Sequence, residues 1–180
     1  MFVVVTGGSG SGKSEFSENL LMRMDNGKGD RFYLATMFPF GEESRRRIER
    51  HREMRKDKGF TTIECYTGLN SLRLPAVKGK KPSVLLECMS NLTANEFYQE
   101  GGAGARTPEA VMEGIRNLRA QTDNLVVVSN EVFSDGVSYD ASTEAYREAL
   151  GEINRRMAAE SDALIEVVYS IPVCHKGGPL

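Results

Sequence analysis

The chain has 180 residues, 40% of them hydrophobic and 27% charged, which fits one domain, 1–180, with an ordinary buried core. A formal net charge of -2 excludes a general polyanion binder, so nucleic acid is not an expected partner and any attraction to phosphate must come from a local patch. No apolar run reaches the roughly 18 residues of a membrane span, no signal-peptide pattern opens the chain, and three scattered cysteines without C-x-x-C argue against a disulfide framework or zinc site; a reduced, cytoplasmic protein is expected.

Residues 2–6 read as a strand buried on both faces. Gly7, Gly8, Ser9, Gly10, Ser11, Gly12, Lys13 and Ser14 follow and match G-x-x-x-x-G-K-[ST] in full. The flanks agree, since a helix is predicted over 13–24. Glycines let backbone N–H groups converge on phosphate oxygens without Cβ clashes, and the helix N-terminus adds partial positive charge. Lys13 supplies a cation to the β- and γ-phosphates, and Ser14 a hydroxyl to Mg²⁺. A Gly/Ser-rich turn with a chance lysine would not need the strand before it and the helix after it. Binding of a nucleoside triphosphate, GTP or ATP, is expected.

A turn at 27–30 leads to a strand at 31–36. The helix predicted over 42–56 is polar nearly all round, with Ile48 as its one clear aliphatic anchor, so it is expected to pack weakly and move. Arg47, His51 and Arg55 share one of its faces at i, i+4 and i+8. That face suits a triphosphate, and a neutral imidazole is a competent nucleophile toward phosphorus. On spacing alone, a solvated charged helix with an incidental histidine reads better.

Further strands are predicted at 61–65 and 83–88, buried on both faces like the first, and a short helix at 92–98. Residues 100–106 read as a flexible glycine-rich loop near a site. Thr107-Pro108-Glu109 starts a helix, with Thr107 as the capping hydroxyl and Val111, Ile115 and Leu118 as its apolar stripe. A strand at 124–130, a helix at 142–160 and a last strand at 163–170 complete the pattern, and residues 176–180 are expected to fray. His175 is assigned no role. The alternation of helices with buried strands predicts an α/β, P-loop NTPase-like fold, a mostly parallel central sheet with helices on both faces.

A phosphate loop needs a carboxylate near the metal, and two acids end buried strands: Glu87 and Glu131. Glu87 is the better candidate, because an acid ending a buried strand needs a partner. The guanine-reading Asn-Lys-x-Asp is absent, which disfavours a Ras-like switch. Two plain readings stay open on these residues: a small-molecule or nucleoside-phosphate kinase with His51 idle, and a nucleotide-dependent binding protein without turnover.

Taken together, the motifs resemble the bifunctional adenosylcobinamide kinase/adenosylcobinamide-phosphate guanylyltransferase family of cobalamin biosynthesis, nearly end to end. The carrying residues are Val5-Thr6-Gly7-Gly8 leading into Ser11-Gly12-Lys13-Ser14, Tyr33-Leu34-Ala35-Thr36, Arg47-Ile48-Glu49-Arg50-His51-Arg52, Leu85-Leu86-Glu87-Cys88, Ser129-Asn130-Glu131-Val132, and Asn154-Arg155 with Ala158-Ala159. The resemblance implies that His51 attacks the α-phosphorus of GTP, releases pyrophosphate and passes GMP to adenosylcobinamide phosphate, after a kinase step on adenosylcobinamide. It implies nucleotide contacts at residues 7–14, with Lys13 catalytic, and at Leu34, Ala35, Thr36, Arg52, Glu53, Met54, Arg55, Glu64 and Glu87. Ser14 and Glu87 are implied at Mg²⁺, and the assembly is implied to be a homotrimer. Gly10 stands where the family usually has arginine, Arg50-His51 stands for its frequent His-His pair, and Glu64 aligns after a one-residue shift.

Overall fold

The computed structural model describes residues 1–26, 29–75, 79 and 81–178, with the Met54 side chain also outside the description. The expected turn at 27–30 therefore lies partly outside the described residues. Seven strands form one sheet: β1 (Phe2–Thr6), β2 (Arg31–Ala35), β3 (Phe60–Glu64), β4 (Ser83–Glu87), β5 (Asn124–Val128), β6 (Ala163–Val168) and β7 (Ile171–Lys176). Their order is β3-β2-β4-β5-β1-β6-β7. Every pairing is parallel except β6 with β7. Five α-helices connect them: α1 (Lys13–Met24), α2 (Gly41–Arg55), α3 (Met89–Tyr98), α4 (Thr107–Gln121) and α5 (Ala141–Glu160).

Side chains alternate across each strand, so apolar runs supply both faces of the sheet at once. Phe2, Val4, Leu34, Leu86 and Val127 face one core, closed by Met112, Ile115, Leu118, Leu150 and Ile153 from α4 and α5. Val3, Val5, Tyr33, Leu85 and Val126 face the other, closed by Leu20 and Leu21 of α1. Parallel strands also bring their carboxyl ends to one edge. Ala35 pairs with both Glu64 and Glu87, and Glu87 with Val128, so the ends of four strands form one row beside the phosphate loop.

The structure departs from the sequence reading in five places. β3 is an edge strand, and Thr61, Thr62 and Glu64 are exposed rather than buried on both faces. Thr107 does not cap α4: its hydroxyl donates to the Gly104 carbonyl at 2.7 Å from a fully buried position. Residues 100–106 contain a 3-10 turn, Gly104–Arg106, and are tied down by Glu96, whose carboxylate accepts from Ala103 N at 3.0 Å and from Gly68 N at 2.7 Å.

The last strand stops at Val168 and returns as β7 through Tyr169 and Ser170, both at positive φ (50° and 63°). Two-residue hairpin turns usually advertise themselves with Asn or Gly at such positions, and Tyr-Ser carries no such signal. The tip is held from outside instead, by Ser170 N donating to Ser11 O at 2.8 Å. Lys176 therefore belongs to the sheet, not to a frayed tail; its Nζ donates to the Ala158 and Ala159 carbonyls at 2.9 Å. Pro179 and Leu180 lie outside the described residues. His175 lies on the same strand and pairs with Glu166 at 2.8 Å on the surface.

Candidate active site

The phosphate loop joins the end of β1 to the start of α1, and two of its glycines are fixed by neighbours. A Cβ on Gly7 would stand 2.5 Å from the Val167 carbonyl oxygen, and one on Gly12, at φ +90°, would stand 2.5 Å from Ser170 Oγ. The β6–β7 hairpin thus presses on the back of the loop. Lys13 is 8% exposed and its Nζ donates to Gly8 O at 2.8 Å, so the cation is held within the loop. Burial lowers its pKa, against the opposing pull of Cys88 and Glu87. Ser11 Oγ is buried without a hydrogen-bond partner. An orphaned hydroxyl inside a glycine-rich turn is what a phosphate oxygen would satisfy.

Glu87, at the end of β4, faces this loop. Its Oε1 accepts the Ser14 hydroxyl at 2.5 Å and its Oε2 accepts the Tyr33 hydroxyl at 3.1 Å. Tyr33 is buried, and its pKa is pushed well above the usual phenol value by burial first, then by the carboxylate. Ser14 and Glu87 are a pair of hard oxygen donors, the ligand type Mg²⁺ takes, and among the described residues no cluster of three His, Cys, Asp or Glu could hold a metal alone. Phosphate oxygens and water would have to complete such a site. Glu131 is turned elsewhere: its Oε1 accepts from Phe133 N at 2.8 Å, while its own N–H donates to Gly7 O at 3.2 Å and steadies the loop from behind.

The third wall is α2. Among its described side chains only Arg55 is buried, while Ile48, the expected aliphatic anchor, is half-buried. Its C-terminal end is the anchored one. Arg55 lies flat over the Tyr33 ring at 3.4 Å with Nη1 unpartnered, and Arg52 meets Glu64 at 2.8 Å. Just beyond the helix, Lys58 pairs with the buried Glu18 of α1 at 2.6 Å. His51 is brought down onto the phosphate loop by these contacts, its Nδ1 4.0 Å from Glu87 Oε1. Partial burial lowers the imidazole pKa; Arg55, Arg47 and Arg50 lower it further, and Glu87 opposes them. The result is a largely neutral imidazole near pH 7, set among arginines that favour negative charge nearby.

The model of the cobinamide kinase / cobinamide phosphate guanyltransferase family matches residues 3–174. The chain belongs to that family. Its members join two reactions on one fold, phosphorylation of cobinamide and guanylyl transfer to the phosphorylated product. Among curated proteins, it is 30% identical to the bifunctional adenosylcobalamin biosynthesis protein CobU of Salmonella typhimurium, over 96% of this chain and 98% of that one. It is 29% identical to the Escherichia coli protein of the same name, with the same coverage. Among solved structures, the KaiC-like protein PH0186 of Pyrococcus horikoshii matches with a TM-score of 0.54 at 12% identity, covering 92% of this chain and 69% of that chain. That likeness concerns the fold alone.

The cleft between the phosphate loop, Glu87 and α2 has a volume of about 630 Å³. Ser9, Gly10, Ser11, Gly12, Lys13, Ser14, Ala35, His51, Arg52, Arg55, Glu64 and Glu87 all line it. Other residues expected at the nucleotide stand elsewhere. Gly7 and Gly8 belong to the loop without lining the cleft: Gly7 is buried against the Val167 carbonyl, and Gly8 is exposed, its carbonyl accepting from Lys13 Nζ. Leu34 is fully buried in the core on the far face of β2, one residue out of step with Tyr33 and Ala35. Thr36 is buried with its hydroxyl on the Cys88 backbone, donating to O at 2.8 Å and accepting from N at 2.7 Å. Glu53 is exposed beside Lys56 at 3.6 Å, and the Met54 side chain lies outside the description. Sequence reasoning gave no role to Tyr33 or to Asn91, which also lines the cleft. For Tyr33 the available signal was its place two residues before Ala35, on the strand face that turns toward the site.

Proposed function

We propose that His51 is the nucleophile of the guanylyl transfer and that the phosphate loop seats the triphosphate for both reactions. The observation that carries this reading is the 4.0 Å approach of His51 to the carboxylate that also accepts the Ser14 hydroxyl. A histidine on a mostly exposed helix thereby stands beside the phosphate loop.

With Nδ1 the nitrogen nearest Glu87, at 4.0 Å, Nε2 is the one assigned to attack. Its lone pair forms a bond to the α-phosphorus of GTP as the bond to the bridging oxygen breaks and pyrophosphate leaves. Arg47, Arg52 and Arg55 offset the charge that moves onto pyrophosphate. A phosphate oxygen of adenosylcobinamide phosphate then attacks the same phosphorus, the N–P bond breaks, and His51 is regenerated with adenosylcobinamide-GDP as product. In the kinase step the hydroxyl of adenosylcobinamide attacks the γ-phosphorus of ATP or GTP and a nucleoside diphosphate leaves; Lys13 steadies the transferring phosphoryl group. Mg²⁺, held by Ser14 and Glu87, would neutralise phosphate charge when bound.

We further propose one nucleotide-binding domain acting in the cytoplasm as a homotrimer. Among the described residues no helix is long and apolar enough to cross a membrane. The outer edge of β7 carries Ile171 and Val173, exposed at 65% and 41%, beside Tyr169 at 91%; that edge supports self-association.

The test is to incubate the protein with Mg²⁺ and GTP labelled at the α-phosphorus, denature it and look for label on the chain. An acid-labile, base-stable adduct that is absent from His51→Ala is expected. Binding of GTP with no adduct would leave a kinase in which His51 is idle.

A further inference from the structure

A second cavity of about 590 Å³ adjoins the nucleotide cleft. The two share a wall made of Met37, Glu43, Arg47 and Asn91. Beyond that wall its surfaces differ from the first. Phe40 and Phe38, 83% and 44% exposed, form an apolar side, with Phe38 set edge-on against Tyr66 at 5.2 Å. Asn95 and Gln99 of the α3 end form an amide side. Asn95 Nδ2 donates to Thr36 O at 2.8 Å and its Oδ1 accepts from Gln99 Nε2 at 3.0 Å. Those bonds tie the Gln99 amide to α3 at the wall of the cavity, with only its Nε2 engaged by Asn95. Glu43 and Glu100 add negative charge at the rim.

We propose that this shelf is where the corrinoid acceptor docks; the inference rests on the family reading of the substrate as cobinamide. The chemistry of the two sides matches that molecule. A corrin ring has a broad apolar face for Phe38 and Phe40. Its rim carries primary amides that pair with side-chain amides, each able to donate and accept. An alkylated cobalt(III) corrin bears net positive charge, which Glu43 and Glu100 complement. The shelf is open outward, so it holds one edge of a ligand larger than itself. A hydroxyl or phosphate arm reaching over Arg47 from the shelf enters the cleft one helical turn from His51. One seat for the acceptor thus serves both reactions.

Phe40→Ala and Gln99→Leu test this, since neither side chain lines the nucleotide cleft. Binding of coloured adenosylcobinamide is measured by equilibrium dialysis, GTP binding alongside it, and the α-labelled adduct separately. Each variant is expected to weaken adenosylcobinamide binding about tenfold with GTP binding unchanged. Unchanged adenosylcobinamide binding in both variants, or no binding by the unaltered chain, overturns the assignment. So does a loss of GTP binding instead, which would give the shelf to the nucleotide. Weakened corrinoid binding in a protein that forms no His51 adduct would support the shelf while removing the covalent reading.

Discussion

Three groups converge on Glu87: the Ser14 hydroxyl, the Tyr33 hydroxyl and, at 4.0 Å, the His51 ring. A buried carboxylate with such partners orients them as much as they stabilise it. The charge state of His51 decides whether its lone pair is available. Burial and the arginines place its folded pKa below the ordinary 6.5, so the ring is neutral at pH 7 in folded and unfolded chains alike. As pH falls below that ordinary value the unfolded chain takes up the proton first. The histidine then costs stability, increasingly until the folded pKa is passed. The rate of adduct formation is accordingly expected to stay level between about pH 7 and 8 and to fall on an acid limb with a midpoint below 6.5. Single-turnover labelling across pH checks this; a midpoint above 6.5 would mean that Glu87, not burial, governs the ring.

At the scale of elements, the phosphate loop depends on the hairpin behind it. The glycines at 7 and 12 are needed for different atoms, the Val167 carbonyl and the Ser170 side chain, whereas Gly10 meets nothing within 4 Å. Gly12→Ala would place a methyl against Ser170 on a left-handed backbone, and is expected to cost about 1–3 kcal/mol and to weaken GTP binding. Gly10→Ala meets only the backbone cost and is expected to fold nearly as well. Chemical denaturation and nucleotide titration of the two variants separate these outcomes. The helix α2 obeys a different logic. It has little apolar surface to bury, so its position comes from contacts near its C-terminal end: Arg55 on Tyr33, Arg52 on Glu64 and, just past it, Lys58 on Glu18. These contacts fix the part of the helix that carries His51.

At the scale of the molecule, the sheet order sends β1 to the interior, between β5 and β6, and leaves β3 and β7 as edges. The β3 edge is blunted by exposed Thr61, Thr62 and Glu64, while β7 presents Ile171 and Val173. If that apolar edge is the trimer contact, light scattering will give three times the 19.9 kDa chain mass, and Ile171→Glu with Val173→Glu will reduce it toward the monomer. A trimer that persists in the double variant would move the contact elsewhere.

The sequence alone determined the phosphate loop, the parallel α/β sheet and the apolar stripe of α4, because glycine spacing, β-branched runs and helical periodicity are local. His51 was visible as one polar residue on a polar helix, and only the family resemblance separated it from a solvated surface histidine. The tertiary structure decided what depends on which face a residue takes and on what comes near from afar. It put Tyr33 and Ala35 in the cleft and Leu34 in the core, chose Glu87 over Glu131, and turned the chain back at Tyr169 and Ser170 through a contact with Ser11. It also set Phe38 and Phe40 against the amides of α3 beside the nucleotide cleft. These follow from strand pairing and packing across long stretches of chain, which no window of sequence contains.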